Sequence, residues 1–234
     1  MKSLKTLLTC GMLLVSTAAF AQFSNAGGSK STSSRSGGLV KKTDSYSRIY
    51  VGYNPMTVST DYEGVDDVTL HGVSFGYTRG ISLSKSLPMF LEVGGKVAFN
   101  FKKDSDDDDY ESIETKQKAL SVSVPVNFTY KLSFGDGNIS LSPFFGLTFK
   151  GNVLAKETEE VTYNHRTEKE TYDYFDKDDV GKDGQWKRFQ AGWQIGANLD
   201  IKQFSLGFHY GSDFNEICKK TTTSNWAVTL GYNF

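Results

Sequence analysis

Three histidines, His71, His165 and His209, are the side chains best placed to move protons near neutral pH in this chain of 234 residues. Hydrolytic chemistry would need one of them beside a nucleophile and an orienting carboxylate. His209, in "FSLGFHYG", is expected on the polar side of a strand, but no serine and carboxylate can be placed beside it. A hydrogen-bonded wall histidine is the expectation, and no catalytic residue is assigned.

Two acidic stretches raise the question of metal. Residues 104–109 in "KKDSDDDDYESIETKQK" form an acidic run, which reads as a solvated loop or as a divalent-cation site. "DKDDVGKDG", 176–184, has the Asp-x-Asp start and the Gly181 of a calcium loop. Val180 stands where a ligand belongs, however, and no Glu follows at the right distance. Neither a metal site nor a cofactor is expected.

A third group of charges behaves differently. Glu92, Lys96, Lys131, Lys150, Arg188 and Asp200 each fall on the small, polar side of a stretch whose other side is apolar. Charges buried that way need partners, so the six are expected to form a polar and ionic network. Chain direction puts Glu92, Lys131 and Asp200 toward one end of the network and Lys96, Lys150 and Arg188 toward the other.

The elements that carry them are strands. Side chains of a strand point alternately to opposite faces, and eight stretches follow that period: 46–54, 70–81, 89–101, 120–134, 139–153, 186–201, 204–211 and 225–234. The clearest is 120–134, where Leu120, Val122, Val124, Val126, Phe128, Tyr130, Leu132 and Phe134 alternate with mostly small or polar residues. Long polar connections at 55–68, 102–118, 155–185 and 212–224 alternate with short ones at 82–88, "GDGN" and 202–203. One end therefore carries loops and the other turns. Pro125 and Pro143 interrupt two strands, each removing a ladder donor, and predict a bulge or a strand break.

Which face is outside decides the class. The polar face is crowded with Gly, Ser, Ala and Asn, which suits the narrow interior of an eight-stranded barrel. The other face holds Trp, Phe, Tyr, Leu and Val with almost no charge along the strand centres. A Lys or Arg there would cost roughly 2–4 kcal/mol at the middle of a bilayer. Aromatics gather near strand ends, at Tyr53, Tyr77, Phe101, Phe134, Trp186, Tyr210, Trp226 and Phe234, and read as two interfacial girdles. A soluble barrel of lipocalin type fits these features less well. The expected fold is all-β, an eight-stranded antiparallel transmembrane barrel with short periplasmic turns and long extracellular loops.

"MKSLKTLLTCGMLLVSTAAFAQ" has a basic start, an apolar run and a small-x-small site, so 1–21 is expected to be a secretory signal peptide. Cys10 would leave with it, and Cys218 would stand alone. Residues 22–45 are rich in Gly, Ser and Lys and read as a flexible periplasmic linker, leaving 46–234 as the barrel. A net charge of −1 gives no argument for nucleic acid.

With the signal peptide, the long/short alternation and a terminal "VTLGYNF", the chain resembles the small outer-membrane β-barrel proteins of OmpA/OmpX-like and porin-family type, particularly those of Bacteroides-like bacteria. That resemblance implies localisation in the cell outer membrane, with lipid and lipopolysaccharide around it. It also implies that the barrel-assembly machinery reads the last strand, here Trp226, Val228, Leu230, Tyr232 and Phe234. Val161, Tyr163, Thr171 and Tyr172 in "EVTYNHRTEKETYDYF" suggest that one hairpin continues above the membrane, and a structural and surface-interaction role through the loops, adhesin-like and toward an extracellular protein or glycan, is the leading expectation. A narrow porin for small solutes and a lipid A-modifying enzyme are the alternatives. Barrels of the last kind use His and Ser near the bilayer surface, the constellation missing here.

Overall fold

The computed structural model describes residues 45–234 apart from 85–86, 108–110, 135–137 and 164–165, together with the backbone alone of 107, 111 and 163. The expected leader, almost all of the linker, and His165 lie outside the described residues. Eleven strands run in chain order: β1 (Ser45–Tyr53), β2 (Met56–Thr60), β3 (Val68–Ser82), β4 (Met89–Asp107), β5 (Glu111–Tyr130), β6 (Leu132–Phe134), β7 (Ile139–Tyr163), β8 (Arg166–Asp173), β9 (Phe189–Ile201), β10 (Phe204–Asp213) and β11 (Thr221–Asn233). One short helical segment, α1 (Lys177–Gly184), lies between β8 and β9.

Eight of these strands close a ring. Each pairs antiparallel with its neighbour in the order β3, β4, β5, β7, β9, β10, β11, and β1 bridges β11 and β3. Closure leaves no edge within the ring, which hydrocarbon requires. The terminal residue is part of it: the Phe234 amide donates to the Ser47 carbonyl at 2.9 Å, and the reverse bond is 3.0 Å.

β2 continues β1. Tyr53 faces Val228 and Val73, and Met56 faces Asn225 and Leu70, so the register is unchanged across Asn54 and Pro55. The first strand thus passes through what reads in sequence as the start of a loop. Pro55 lacks an amide and interrupts the ladder without turning the chain.

The two prolines behave in the same way. Pro125 pairs in register with Thr148, and Pro143 pairs in register with Ala197, so neither makes a bulge. Each instead sits where its other flanking ladder pauses. The β4–β5 pairing skips from Val93–Val126 to Lys96–Ser123, beside Pro125. Pairing to β7 skips from Thr129–Phe144 to Leu132–Leu141, beside Pro143, and this gap divides β5 from β6. The bulge is elsewhere, between Leu120 and Ser121.

Alternation sorts the faces. Ser74, Thr129, Ser142 and Gln190 are buried, whereas Phe75, Phe145, Leu206 and Leu230 stand out from the wall, Leu230 at 65% exposure. An apolar belt of that extent on a single chain marks a surface covered by something other than water. Cross-strand aromatic pairs stud it: Tyr53 with Trp226 (ring centroids 5.4 Å apart), Trp193 with Tyr210 (5.8 Å) and Phe204 with Tyr232 (5.9 Å). Among the described residues no helix is long and apolar enough to cross a membrane.

The loop end differs most from expectation. β4 and β5 run on to Asp107 and back from Glu111, and β7 and β8 form a second hairpin from 156 to 173. Stretches that read as the loops 102–118 and 155–185 are therefore largely a four-stranded sheet rising above the barrel. The hairpin that Val161, Tyr163, Thr171 and Tyr172 signal in the sequence is present, whereas 102–118 is largely polar on both faces and lacks the apolar period that marks a strand; cross-strand pairs hold it instead.

Candidate functional site

Two arrangements of polar side chains follow from this frame: one fills the barrel and the other covers the raised sheet. In the lumen, Arg48 is the hub at the turn end. Its guanidinium lies 3.6 Å from Glu92 and 3.2 Å from Asp200, and its Nε donates to Asn233 Oδ1 at 2.8 Å. Tyr46 donates its hydroxyl to Glu92, and Lys131 completes the group at 3.4 Å from Asp200. Here two cations meet two carboxylates, all largely buried.

A second cluster sits toward the loop end. Lys150 pairs with Asp213 and donates to Thr223 at 3.1 Å. Thr223 also donates to Asp213 and receives a bond from Gln190 at 3.2 Å, and Gln190 accepts from Asn152 at 2.9 Å. Between the clusters stands Lys96, whose Nζ donates to Asn54 Oδ1 at 3.4 Å. Cavities of about 40 and 30 Å³ lie on its two sides.

Of the six charges singled out in sequence, the lumen holds Glu92, Lys96, Lys131, Lys150 and Asp200. Arg188 is not among them. It precedes β9, is exposed, and lays its guanidinium over the Phe175 ring at 4.0 Å. The polar-side reading of Arg188 assumed that the strand begins at 186, whereas it begins at Phe189. Arg48 and Asp213 join the lumen beyond those six: the parity that turns Ile49 and Val51 outward turns Arg48 inward, and Asp213 lies just past the predicted end of its strand. Trp186 is likewise not a girdle residue. It stacks on Tyr174 (4.8 Å) and packs on the buried Met56, Leu70 and Ala119, at the floor of a cleft of about 360 Å³ in the barrel mouth.

His71 and His209 stand on opposite faces of the wall. His71 faces outward and its Nδ1 lies 2.6 Å from the Tyr53 hydroxyl. His209 is buried in the lumen with its Nε2 unpartnered, so no nucleophile or carboxylate engages it. Among the described residues no group of three or more His, Cys, Asp or Glu could hold a metal ion. The calcium-like stretch is built otherwise: Asp176 caps α1 by accepting from the Asp178 amide at 2.9 Å, and Asp179 accepts from the Asp173 amide at 2.8 Å. Of the acidic run, Asp104 pairs with Lys102 at 2.6 Å, and 108–109 lie outside the described residues.

On the raised sheet, charges alternate across strands. Glu114 accepts from Lys103 (2.5 Å) and Lys116, Lys116 reaches Glu160 (3.2 Å), and Glu160 accepts from Lys169 (2.6 Å). This ladder crosses all four strands. The lysines beside them hold the Glu114 and Glu160 carboxyls below the ordinary carboxylate range, and hydrogen bonds to those carboxylates push the Lys116 ammonium above the usual lysine value. Thr158–Thr171 (3.3 Å) and Thr162–Thr167 (3.0 Å) add hydroxyl pairs. Above Phe101, β4 pairs only with β5, and β8 pairs only with β7, which leaves two strand edges free among the described residues.

The last strand's apolar row, Trp226, Val228, Leu230, Tyr232 and Phe234, faces outward along its whole length.

Residues 103–218 match a family model described as outer membrane protein beta-barrel domain. No curated protein matches the chain. Among solved structures, Ail, the attachment invasion locus protein of Yersinia pestis, aligns at 12% identity and a TM-score of 0.43, covering 82% of this chain and all of that one. Neisserial surface protein A aligns at 8% identity and 0.39, covering 82% of this chain and 98% of that one. At this level the likenesses carry no functional weight.

Proposed function

We propose that the chain is a small outer-membrane β-barrel protein whose barrel is a filled anchor and whose raised four-stranded sheet makes contact with molecules outside the cell. One observation carries this reading: β4, β5, β7 and β8 continue above the ring as ordered sheet, with the strand edges of 102–107 and 166–172 unpaired among the described residues. A free edge offers a row of amides and carbonyls to an extended segment of a partner, while alternating side chains set what fits. The lumen argues in the same direction. Its two ionic clusters, with small cavities between them, favour a filled barrel over a bore for solutes, which sets the porin alternative second. His209 Nε2 is buried without a partner among the described residues, which gives a lipid A-modifying enzyme little support and sets that alternative third. We further assign the outward apolar row of β11 to recognition by the assembly machinery.

The test removes the second hairpin alone. Cells displaying the protein with 158–171 replaced by a two-residue Asn-Gly turn should keep a heat-modifiable barrel but lose adherence to host-cell and bacterial-cell surfaces. Unchanged adherence with the barrel intact would overturn the reading.

A further inference from the structure

Lumen charge does not balance, and the surplus sits at one place. Arg48 and Lys131 are matched by Glu92 and Asp200, and Lys150 is matched by Asp213. Lys96 is only 9% exposed, and among the described residues no carboxylate lies within 4.0 Å of its Nζ. Its hydrogen bond, to Asn54 at 3.4 Å, is at the long end of the range. An ammonium buried that way is costly unless a counter-charge attends it.

The cavity of about 40 Å³ on the turn side of Lys96 has further unmet donors around it. Thr78 Oγ1 and His209 Nε2 are both buried without a partner, and both residues line this space with Lys96. Unpaired buried polar atoms in a native interior call for a guest. Asn127, Asn198 and Gln194 add side-chain amides to the lining. Glu92 also borders the cavity, but its carboxylate is taken by Tyr46 and Arg48. About 10–15 Å³ accommodates one water, so a guest somewhat larger than water has room here.

We propose that this cavity binds one monatomic anion of chloride size, held by the Lys96 ammonium, the Thr78 hydroxyl and the His209 Nε2–H. The hydroxyl and the imidazole can each present a proton, the ammonium presents three, and the anion needs only donors. Neutralising Lys96 there makes the packed lumen electrically complete. The site is independent of the raised sheet and of any surface ligand.

Crystals of the full barrel grown in bromide, with data collected at the bromine edge, test it. One anomalous peak should lie inside the lumen, within hydrogen-bonding distance of Lys96, and it should vanish in Lys96→Met. At fixed ionic strength, replacing gluconate by chloride should raise the unfolding temperature of the wild type and leave that of Lys96→Met unmoved. Should Lys96→Met fail to fold, Thr78→Val serves in its place, with a weakened peak and a smaller chloride shift. An empty lumen in bromide, a peak that survives Lys96→Met or is undiminished by Thr78→Val, or a chloride shift identical in wild type and variant would overturn the proposal.

Discussion

Arg48 stands 3.2 Å from Asp200 across the lumen, joining β1 to β9, while its other amino group reaches Glu92 on β4 at 3.6 Å. One side chain thus ties together three strands that are not all neighbours in the ring. Replacing it by Met would strand two buried carboxylates, and loss of one member of a buried ionic group costs about 3–5 kcal/mol. Denaturant unfolding of Arg48→Met in lipid vesicles should show a loss of that order. A loss below about 1 kcal/mol would mean that the cluster is solvated and the lumen is not closed.

Gly80 faces the ring of Tyr46, and a Cβ placed there would collide with it. The Arg48 and Lys131 charges lie 5.5 and 5.1 Å from the centroid of that ring, and its hydroxyl serves Glu92. Gly80→Val should therefore destabilise the barrel by about 1–3 kcal/mol, the usual range for overpacking. In the Tyr46→Ala background most of that cost should disappear. A cost that persists there would place the strain elsewhere.

The barrel was legible because hydrocarbon imposes one strict rule on its wall. Residues such as Phe75, Phe145 and Leu206 alternate with Ser74, Gly146 and Ser205, and nothing but a strand with two unlike faces gives that order. The raised sheet was only half legible: Val161, Tyr163, Thr171 and Tyr172 signal its β7–β8 hairpin, but 102–118 is held by cross-strand pairs such as Glu114 with Lys103, which no apolar period announces. Arg188 and Trp186 were misplaced by an error of three residues in one strand start. Near a strand end the chain leaves the wall, and parity no longer says which way a side chain points. Asp213 was lost by the opposite error, a strand that runs further than its last aromatic.

The ladder on the raised sheet titrates. Glu114 and Glu160 have folded values below their unfolded ones, so their support is fully present above the ordinary carboxylate range and is lost as pH falls through the depressed values. Lys116 is shifted upward, so its support holds at neutral pH and is lost only as pH rises through the raised lysine value. Amides in β7 and β8 should be well protected near neutrality, and their protection relative to the intrinsic exchange rate at each pH should fall on acidification below the carboxylate range, well before the ring opens. High salt should act in the same direction. Exchange in the hairpin that is indifferent to both acid and salt would show that the ladder contributes nothing.

The filled lumen makes a prediction about current. In planar bilayers the purified protein should give little or no steady conductance, and Lys96→Ala, which removes the side chain standing between the two cavities, should raise ion flux above wild type. Large, stable wild-type channels would restore the porin reading.

Most directly at stake is the direction in which the apolar wall faces. Leu206 lies on it at 49% exposure, and Trp186 lies in the mouth on a protein floor. Single-tryptophan versions, one with Leu206→Trp and the native tryptophans replaced by Phe, the other keeping Trp186 alone, can be placed in bilayers whose acyl chains carry bromine near mid-chain. Strong quenching at position 206 with Trp186 unquenched is the expected result. An unquenched tryptophan at 206, in a protein that stays dispersed without lipid or detergent, would contradict the account.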